Sequence, residues 1–414
     1  MLNTRCLTLF SGIMKKENSN KKNRTKVFVG LSGGVDSSVS AALLKERGYD
    51  VVGVFIKAWY PDWLSCAWKD ERRDAMRVCA RLGIPFLTFD FGKEYKKEVI
   101  DYMIAEYKKG RTPNPDVMCN RMIKFGAFLK RAKKMGADFV ATGHYARVVN
   151  QQKSFDSSAR FARPATRSLV LGESPRSRGN HADSPAEASE SKAFLLHTSK
   201  DKEKDQTYFL WTLTQDDLKN IIFPIDGFKK SEVRKLAKKF GLITAEKKDS
   251  QGLCFLGKIS VRDFLKKYIK EKKGKVVDEN GNTVGSHNGA TFITIGQRHG
   301  FEITEKGTER KPYYVVAKDI KKNLLIVSHK KEEKESFKKE VLIEKVNWIS
   351  GEPDFSKKYG ARIRYRQVLE KCHLEYIGKS KIKIVFNRPQ RAVSSGQSLV
   401  IYDNGVCLGG GIMA

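Results

Sequence analysis

The stretch KVFVGLSGGVDSSVSAALL, from Lys26 to Leu44, constrains this chain more than any other. Residues 26–31 read as a buried strand and residues 32–35 as a tight loop. The run from Asp36 through Val39, Ala42 and Leu43 reads as an apolar-faced helix. Glycines at 33 and 34 open backbone conformations closed to other residues, so successive N–H groups can turn into one concavity at the positive end of the helix dipole. Such a nest holds phosphate. Three or four charge-assisted hydrogen bonds at roughly 1.5–3 kcal/mol each, helped by the hydroxyls of Ser32, Ser37 and Ser38, would anchor a pyrophosphate. No Gly-Lys-Ser/Thr follows the glycines, and Asp36 stands where a Walker loop carries its lysine, which argues against a loop built for γ-phosphate transfer. A glycine pair before a helix is also what a plain turn requires, and this pattern alone does not separate the two.

The following segments extend the same logic. Val51–Ile56 reads as a second buried strand, Asp70–Leu82 as a helix closed by Gly83, Pro85–Asp90 as a third strand and Asp138–Thr142 as a fourth. Strands alternating with helices at this spacing predict an α/β fold with a doubly wound parallel sheet. Ligands in such sheets sit beyond the carboxyl ends of the strands, which places Ile56 and Gly143 beside a nucleotide. Cys79 shares a helical face with Ala75, Met76 and Leu82 and is expected in the core.

A chain of 414 residues, 40% hydrophobic, can form two or three domains with proper cores. Its 79 basic against 47 acidic residues give a formal charge of +32 spread along the length, so a polyanionic partner is expected, nucleic acid ahead of membrane. Lysine-rich solvated faces are the plainer explanation of the same charge. The seven cysteines form no CxxC pair and no metal-ligand spacing with the seven histidines, so neither a cluster nor a structural metal is expected. Scattered single cysteines suit a reducing compartment, here the cytoplasm, and no run approaches the ~20 apolar residues of a membrane span.

Along the chain, residues 1–25 read as a disordered extension within which Met14 is an alternative start, and an organellar presequence is the other reading of this stretch. Residues 26–258 form the expected nucleotide domain, interrupted at 150–193 by a Ser-, Arg- and Pro-rich disordered insertion in a hairpin of that domain. In GRTPNPDVMCNRMIKFG, residues 110–126, two prolines flank Asn114 and make a rigid loop ahead of a helix expected from Met122. Cys119 on such a loop is either a thiol whose thiolate is favoured by the helix N-terminus or a buried structural thiol. Residues 259–310 read as a small α+β connecting domain, and residues 311–414 as short alternating strands forming a closed β-barrel. Arg362, Arg364, Tyr365 and Arg366 on one barrel strand would suit looped RNA.

SGGVDSS after a strand resembles the pyrophosphate loop of the ATP-pyrophosphatase superfamily, whose members cleave ATP between the α and β phosphates. Together with NPDVMCN, ATGHYAR, KDQTYFL, KKDSQGLCF, TIGQRHG and SGQSLVIYD, it makes the chain from Lys26 onward, apart from the insertion, resemble the tRNA-specific 2-thiouridylase family. The resemblance implies a sulfurtransferase that replaces the C2 oxygen of the wobble uridine of tRNA by sulfur and converts ATP, with Mg2+, to AMP and pyrophosphate. It implies ATP binding by Gly30, Leu31, Ser32, Gly33, Gly34, Val35, Asp36, Ser37, Ile56 and Gly143. It implies that Asn114, Pro115 and Asp116 meet the target base, and that His144, Lys204, Asp205, Gln206, Arg364, Tyr365 and Gln397 contact tRNA. Cys119 would be the nucleophile, Cys254 the persulfide carrier and Asp116 the proton shuttle, with sulfur arriving from a cysteine desulfurase or a relay protein. Family members usually carry methionine at the position of Ile56. An amide-forming synthetase with the same loop would leave Cys119 and Cys254 unexplained, and a non-enzymatic RNA-binding protein would leave the phosphate loop unexplained.

Overall fold

The computed structural model describes residues 24–64, 68–151, 194–248, 259–304, 312–329, 337–378 and 381–414. The expected N-terminal extension before Arg24, the 150–193 insertion beyond Gln151, Cys66 and the part of the KKDSQGLCF motif after Lys248, with Cys254, lie outside the described residues. The strands β1 (Lys26–Gly30), β2 (Asp50–Lys57), β3 (Phe86–Asp90), β4 (Phe139–Ala141) and β7 (Ile221–Ile222) form a parallel sheet in the order β3-β2-β1-β4-β7. In β1, Val27 and Val29 point into one core and Phe28 into the other, so both faces are apolar because both are covered. Helices α1 (Val35–Glu46), α2 (Trp68–Leu82) and α5 (Lys230–Lys239) bury residues in the first core. The helical stretches α3 (92–108) and α4 (115–134), each with a π-helical middle, bury residues in the second. This is the expected doubly wound α/β fold. Cys79 is buried in the first core, which pushes its thiol up to about 12, and a side chain at Gly53 would collide with its sulfur.

A second sheet has the order β10-β9-β8-β12-β11, formed by β8 (Gly274–Val277), β9 (Thr283–His287), β10 (Phe301–Ile303), β11 (Tyr314–Asp319) and β12 (Leu324–Ser328). Residues 314–328 were expected in the terminal barrel; β12 instead pairs in parallel with β8, through Leu324 with Lys275 and Ile326 with Val277. The terminal barrel therefore starts at Phe337. Its strands β13 (Phe337–Trp348), β14 (Tyr359–Arg362), β15 (Glu370–Ile377), β16 (Lys381–Arg391), β17 (Ser398–Asp403) and β18 (Val406–Met413) run in the order β13-β16-β15-β14-β17-β18, and pairing of β13 with β18 closes it. The hairpin of β5 (Ala146–Asn150) and β6 (Phe194–Thr198), expected to belong to the nucleotide domain, adds to β18 through Val406 and Cys407. The nucleotide domain thus lends two strands to the sheet of the barrel.

Behind that hairpin the two bodies share buried polar contacts. The Arg362 guanidinium reaches the Asp205 carboxylate at 2.5 Å and the Tyr402 hydroxyl at 2.8 Å, while the Thr207 hydroxyl donates to Asp205 at 2.9 Å. The Tyr208 hydroxyl donates to the Ser398 carbonyl, the Trp211 indole to the Ser398 hydroxyl, and Asn347 to the carbonyls of Trp211 and Leu213. Arg362 ends strand β14, whereas Arg364, Tyr365 and Arg366 lie in the turn after it, with Arg366 at a φ of +63°. The expected basic strand is therefore one buried arginine followed by a basic turn. Removing one partner of a buried pair strands the other without compensation, at a cost of about 3–5 kcal/mol. Asp205→Ala is expected to lower the unfolding free energy in urea by that much, and a loss under 1 kcal/mol would show that water replaces the carboxylate.

Candidate functional site: a phosphate loop and a base-sized pocket

The loop between β1 and α1 has the shape its glycines require. Gly33 adopts a φ of +70° and lies so close to the Glu71 carbonyl that a side chain there would collide with it. Gly34 takes the extended conformation of an N-cap, and no side chain caps the helix. The Ser32 N–H donates to the Ser37 hydroxyl at 3.2 Å, and the hydroxyls of Ser37 and Ser38 both donate to the Gly34 carbonyl, so the serines brace the turn. Gly143, just past β4, is pressed against the start of α1: a Cβ there would lie 2.6 Å from the Ser37 nitrogen and 2.8 Å from the Asp36 carbonyl carbon. Ile56 is buried at the end of β2, the neighbouring strand. The structure thus gathers Gly30 to Ser37, Ile56 and Gly143 at the carboxyl ends of adjacent strands, where the strand order reverses.

Asp36 brings in two residues that the sequence reading missed. Both its oxygens lie 2.7 Å from the Lys230 ammonium, and Oδ1 accepts the Tyr145 hydroxyl at 2.8 Å. Lys230 opens α5, with its backbone N–H on Asp201 and only 13% of its side chain exposed. A lysine in the first turn opposes the helix dipole, and this misplaced cation in KKSEVR is the signal that pointed to a distant anion. A lysine ammonium from another helix thus sits beside the loop, paired with Asp36.

The second feature is a cavity of about 380 Å³ lined by Asn114, Pro115 and Asp116 together with Phe209, Ile259 and Gln397. Asn114 caps α4, its side chain accepting the Val117 N–H at 3.3 Å, and Pro115 fills the first helical position. The helix therefore begins at Pro115, earlier than Met122, and Cys119 sits inside it, fully buried and past the first turn where the dipole acts most. Of the two readings left open for this thiol, its location agrees with the buried one. Cys119 is not among the residues lining the cavity. The barrel closes one side: Gln397 donates to the carbonyls of Thr112 at 2.9 Å and Pro113 at 3.4 Å, and the Thr112 N–H donates to Ser395 at 2.8 Å.

The residues expected at tRNA occupy unequal settings. Lys204 is half-buried, while Asp205 is buried with Arg362 and Gln206 accepts the Tyr145 N–H at 2.9 Å. Arg364 is exposed and donates to the Ala392 carbonyl at 2.7 Å, and Tyr365 packs on Phe209 at 4.6 Å between ring centroids. His144 is buried between Phe125 and Phe223. Its Nε2 lies 3.4 Å from the Lys124 ammonium, so it accepts, and Nδ1 then carries the proton to the Thr142 hydroxyl at 2.7 Å. Among the described residues no group of three or more His, Cys, Asp or Glu is arranged to hold a metal ion, and no helix is long and apolar enough to cross a membrane.

Comparison with known proteins assigns the chain. It is 42% identical to the tRNA-specific 2-thiouridylase MnmA of Francisella philomiragia over 392 residues, 94% of this chain and 99% of that protein. This chain belongs to the tRNA-specific 2-thiouridylase family. The MnmA of Francisella tularensis subsp. mediasiatica is 40% identical over the same shares of both chains. Family descriptions match in three consecutive pieces: a tRNA methyl transferase HUP domain at residues 25–258, a tRNA methyl transferase PRC-barrel domain at 262–329 and an aminomethyltransferase beta-barrel domain at 338–413. The last two coincide with the five-stranded sheet and the closed barrel. Among solved structures, the U34-tRNA thiolase NcsA of Methanococcus maripaludis is 18% identical, with a TM-score of 0.32 over 64% of this chain and 73% of that one.

Burial, and then the nearby Lys124 ammonium, hold the His144 pKa well below 6.5. Below the ordinary histidine value the unfolded chain binds a proton that folded His144 refuses, so stability is lost as pH is lowered, at up to about 1.4 kcal/mol per unit. Urea unfolding between pH 7.5 and 5.5 is expected to show a shallower pH slope for His144→Gln than for the parent. Equal slopes would mean that His144 titrates freely in the folded protein.

Proposed function

We propose that this chain is an ATP-dependent sulfurtransferase that converts the C2 carbonyl of the wobble uridine of tRNA to a thiocarbonyl. The near full-length identity to MnmA proteins carries the reading, and the phosphate loop supplies its chemistry. A methyl transfer would give the glycine nest and Asp36 no task. A carbonyl oxygen is a poor leaving group. The uridine O2 attacks the α-phosphorus of ATP, the bond to pyrophosphate breaks, and O2 becomes part of an AMP that can leave. Backbone N–H groups at the start of α1 receive the departing pyrophosphate, and Lys230 transfers from Asp36 to its oxygens. A Mg2+ ion would be held by Asp36, the carboxylate of the loop, and would offset phosphate charge there.

The sulfur step uses Cys254 as carrier. Its persulfide, loaded by a desulfurase or relay protein, attacks C2 through the terminal sulfur, and AMP departs. The Cys119 thiolate then attacks the Cys254 Sγ, which releases the thiocarbonyl and leaves a Cys119–Cys254 disulfide for an external thiol to reduce. Asp116, which lines the cavity three residues before Cys119, takes the proton. Because Cys119 is fully buried, the helix start must shift when tRNA enters. The RNA is gripped by Lys204, Arg364 and Tyr365, with Gln206, Gln397 and His144 acting from inside the protein. The proposed division is a nucleotide domain, a central domain and a barrel, and the cytoplasm is the compartment in which tRNA and reduced thiols meet.

Turnover should release AMP and pyrophosphate only when tRNA is present, and ADP as product would overturn the adenylation step. Asp36→Ala and Lys230→Ala are each expected to lower thiolation at least 100-fold with the fold retained by circular dichroism. Cys254→Ser should carry no transferable persulfide, whereas Cys119→Ser should load Cys254 and fail to deliver. Normal thiolation by Cys119→Ser would remove the nucleophile assignment. With a formal charge of +32, tRNA affinity should fall linearly with the logarithm of salt concentration in a filter-binding titration, and a flat response would exclude backbone grip as the main source of affinity.

A further inference from the structure

A nucleobase bound for chemistry needs its edge read by polar groups and its π-faces covered by flat or apolar ones. The 380 Å³ cavity has polar groups in Asn114, Asp116 and Gln397 and apolar walls in Ile259 and Val261. Two described aromatic residues line it, Phe209 and Tyr107. Tyr107 is 7% exposed, whereas Phe209 is only partly buried, so Phe209 has surface left to offer. That residue is held in place from several sides. Asn120 donates to its carbonyl at 3.0 Å, its own N–H donates to the Gln206 carbonyl at 3.0 Å, and the Tyr208 and Tyr365 rings lie 5.4 and 4.6 Å from its ring. Behind Tyr365 stands the Arg366 guanidinium at 5.1 Å, itself bonded to the Glu203 carbonyl. A side chain fixed this firmly at the wall of a polar cavity is a preorganised platform.

We propose that the Phe209 ring is the surface on which the target uracil stacks in the cavity beside Asn114 and Asp116. The inference rests on the reading of that cavity as the base site. The packing of Tyr365 on Phe209 links the basic turn of the barrel to the base pocket.

The test varies both the ring of the protein and the ring of the base. Phe209→Leu keeps an apolar side chain but removes the flat face, and should lower kcat/KM for tRNA thiolation roughly tenfold or more. Tyr and Trp at the same position should restore activity to within about threefold. On the RNA side, a tRNA with 5,6-dihydrouridine at the target position keeps the C2 carbonyl and the N3–H but loses the planar π-system. It should be thiolated about tenfold more slowly than uridine by the parent protein, and no more slowly than uridine by Phe209→Leu. Equal rates on uridine and dihydrouridine with the parent protein would overturn the stacking assignment, even if Phe209→Leu failed to fold. Asn114→Ala separates the two levels: if it thiolates normally, the cavity is not the base site, whereas its loss beside an unaffected Phe209→Leu would reject stacking alone.

Discussion

The carboxylate of Asp205 and the guanidinium of Arg362, buried together where the nucleotide domain meets the barrel, hold the arrangement on which the rest depends. Neither charge would be tolerated there alone, so the pair exists only when the barrel sits where it does. The consequence reaches the cavity, because one of its walls is barrel. Gln397 and the Ser395 carbonyl take up the backbone groups of Thr112 and Pro113, just ahead of the Asn114 cap, and Gly396 comes so near Thr112 that a Cβ would lie 3.0 Å from its nitrogen. The cavity is therefore a property of two bodies locked together. The C-terminal barrel is thus part of the pocket.

At the other end of the site, the governing constraint is proximity. The turn after β4 approaches the first turn of α1 as closely as backbone permits, which only a glycine at 143 allows. Tyr145, two residues on, thereby reaches Asp36. With Lys230 on the same carboxylate, the charge beside the helix start is balanced within the protein. An incoming polyphosphate would compete with Asp36 for that lysine. Lys230 is thus already paired within the protein before any such ligand arrives.

His144, Gln206 and Asp205, expected at tRNA, are also tied into the protein. Each is turned inward, onto Lys124 and Thr142, the Tyr145 N–H, and Arg362 respectively. Their hydrogen bonds fix the strands and turns that carry Tyr145, Phe209 and Lys204.

The sequence by itself determined whatever is encoded over a few neighbouring residues. The strand, glycine turn and helix of residues 26–46, the parallel alternation around it and the core place of Cys79 follow from local periodicity and from backbone conformations only glycine adopts. Family motifs added the chemistry expected of Asp116, Cys119 and Cys254, the last outside the described residues. Tertiary structure decided which surfaces meet. A half-apolar strand does not name its neighbour, so residues 314–328 read as barrel although β12 pairs with β8, and the β5–β6 hairpin of the nucleotide domain gave no sign that it extends β18. Arg362 read as a surface cation, yet its partner lies 157 residues away in sequence, and Lys230 and Asp36 are 194 apart. Local pattern records burial and turning. Pairing across such separations depends on how whole elements pack, and only the folded chain specifies it.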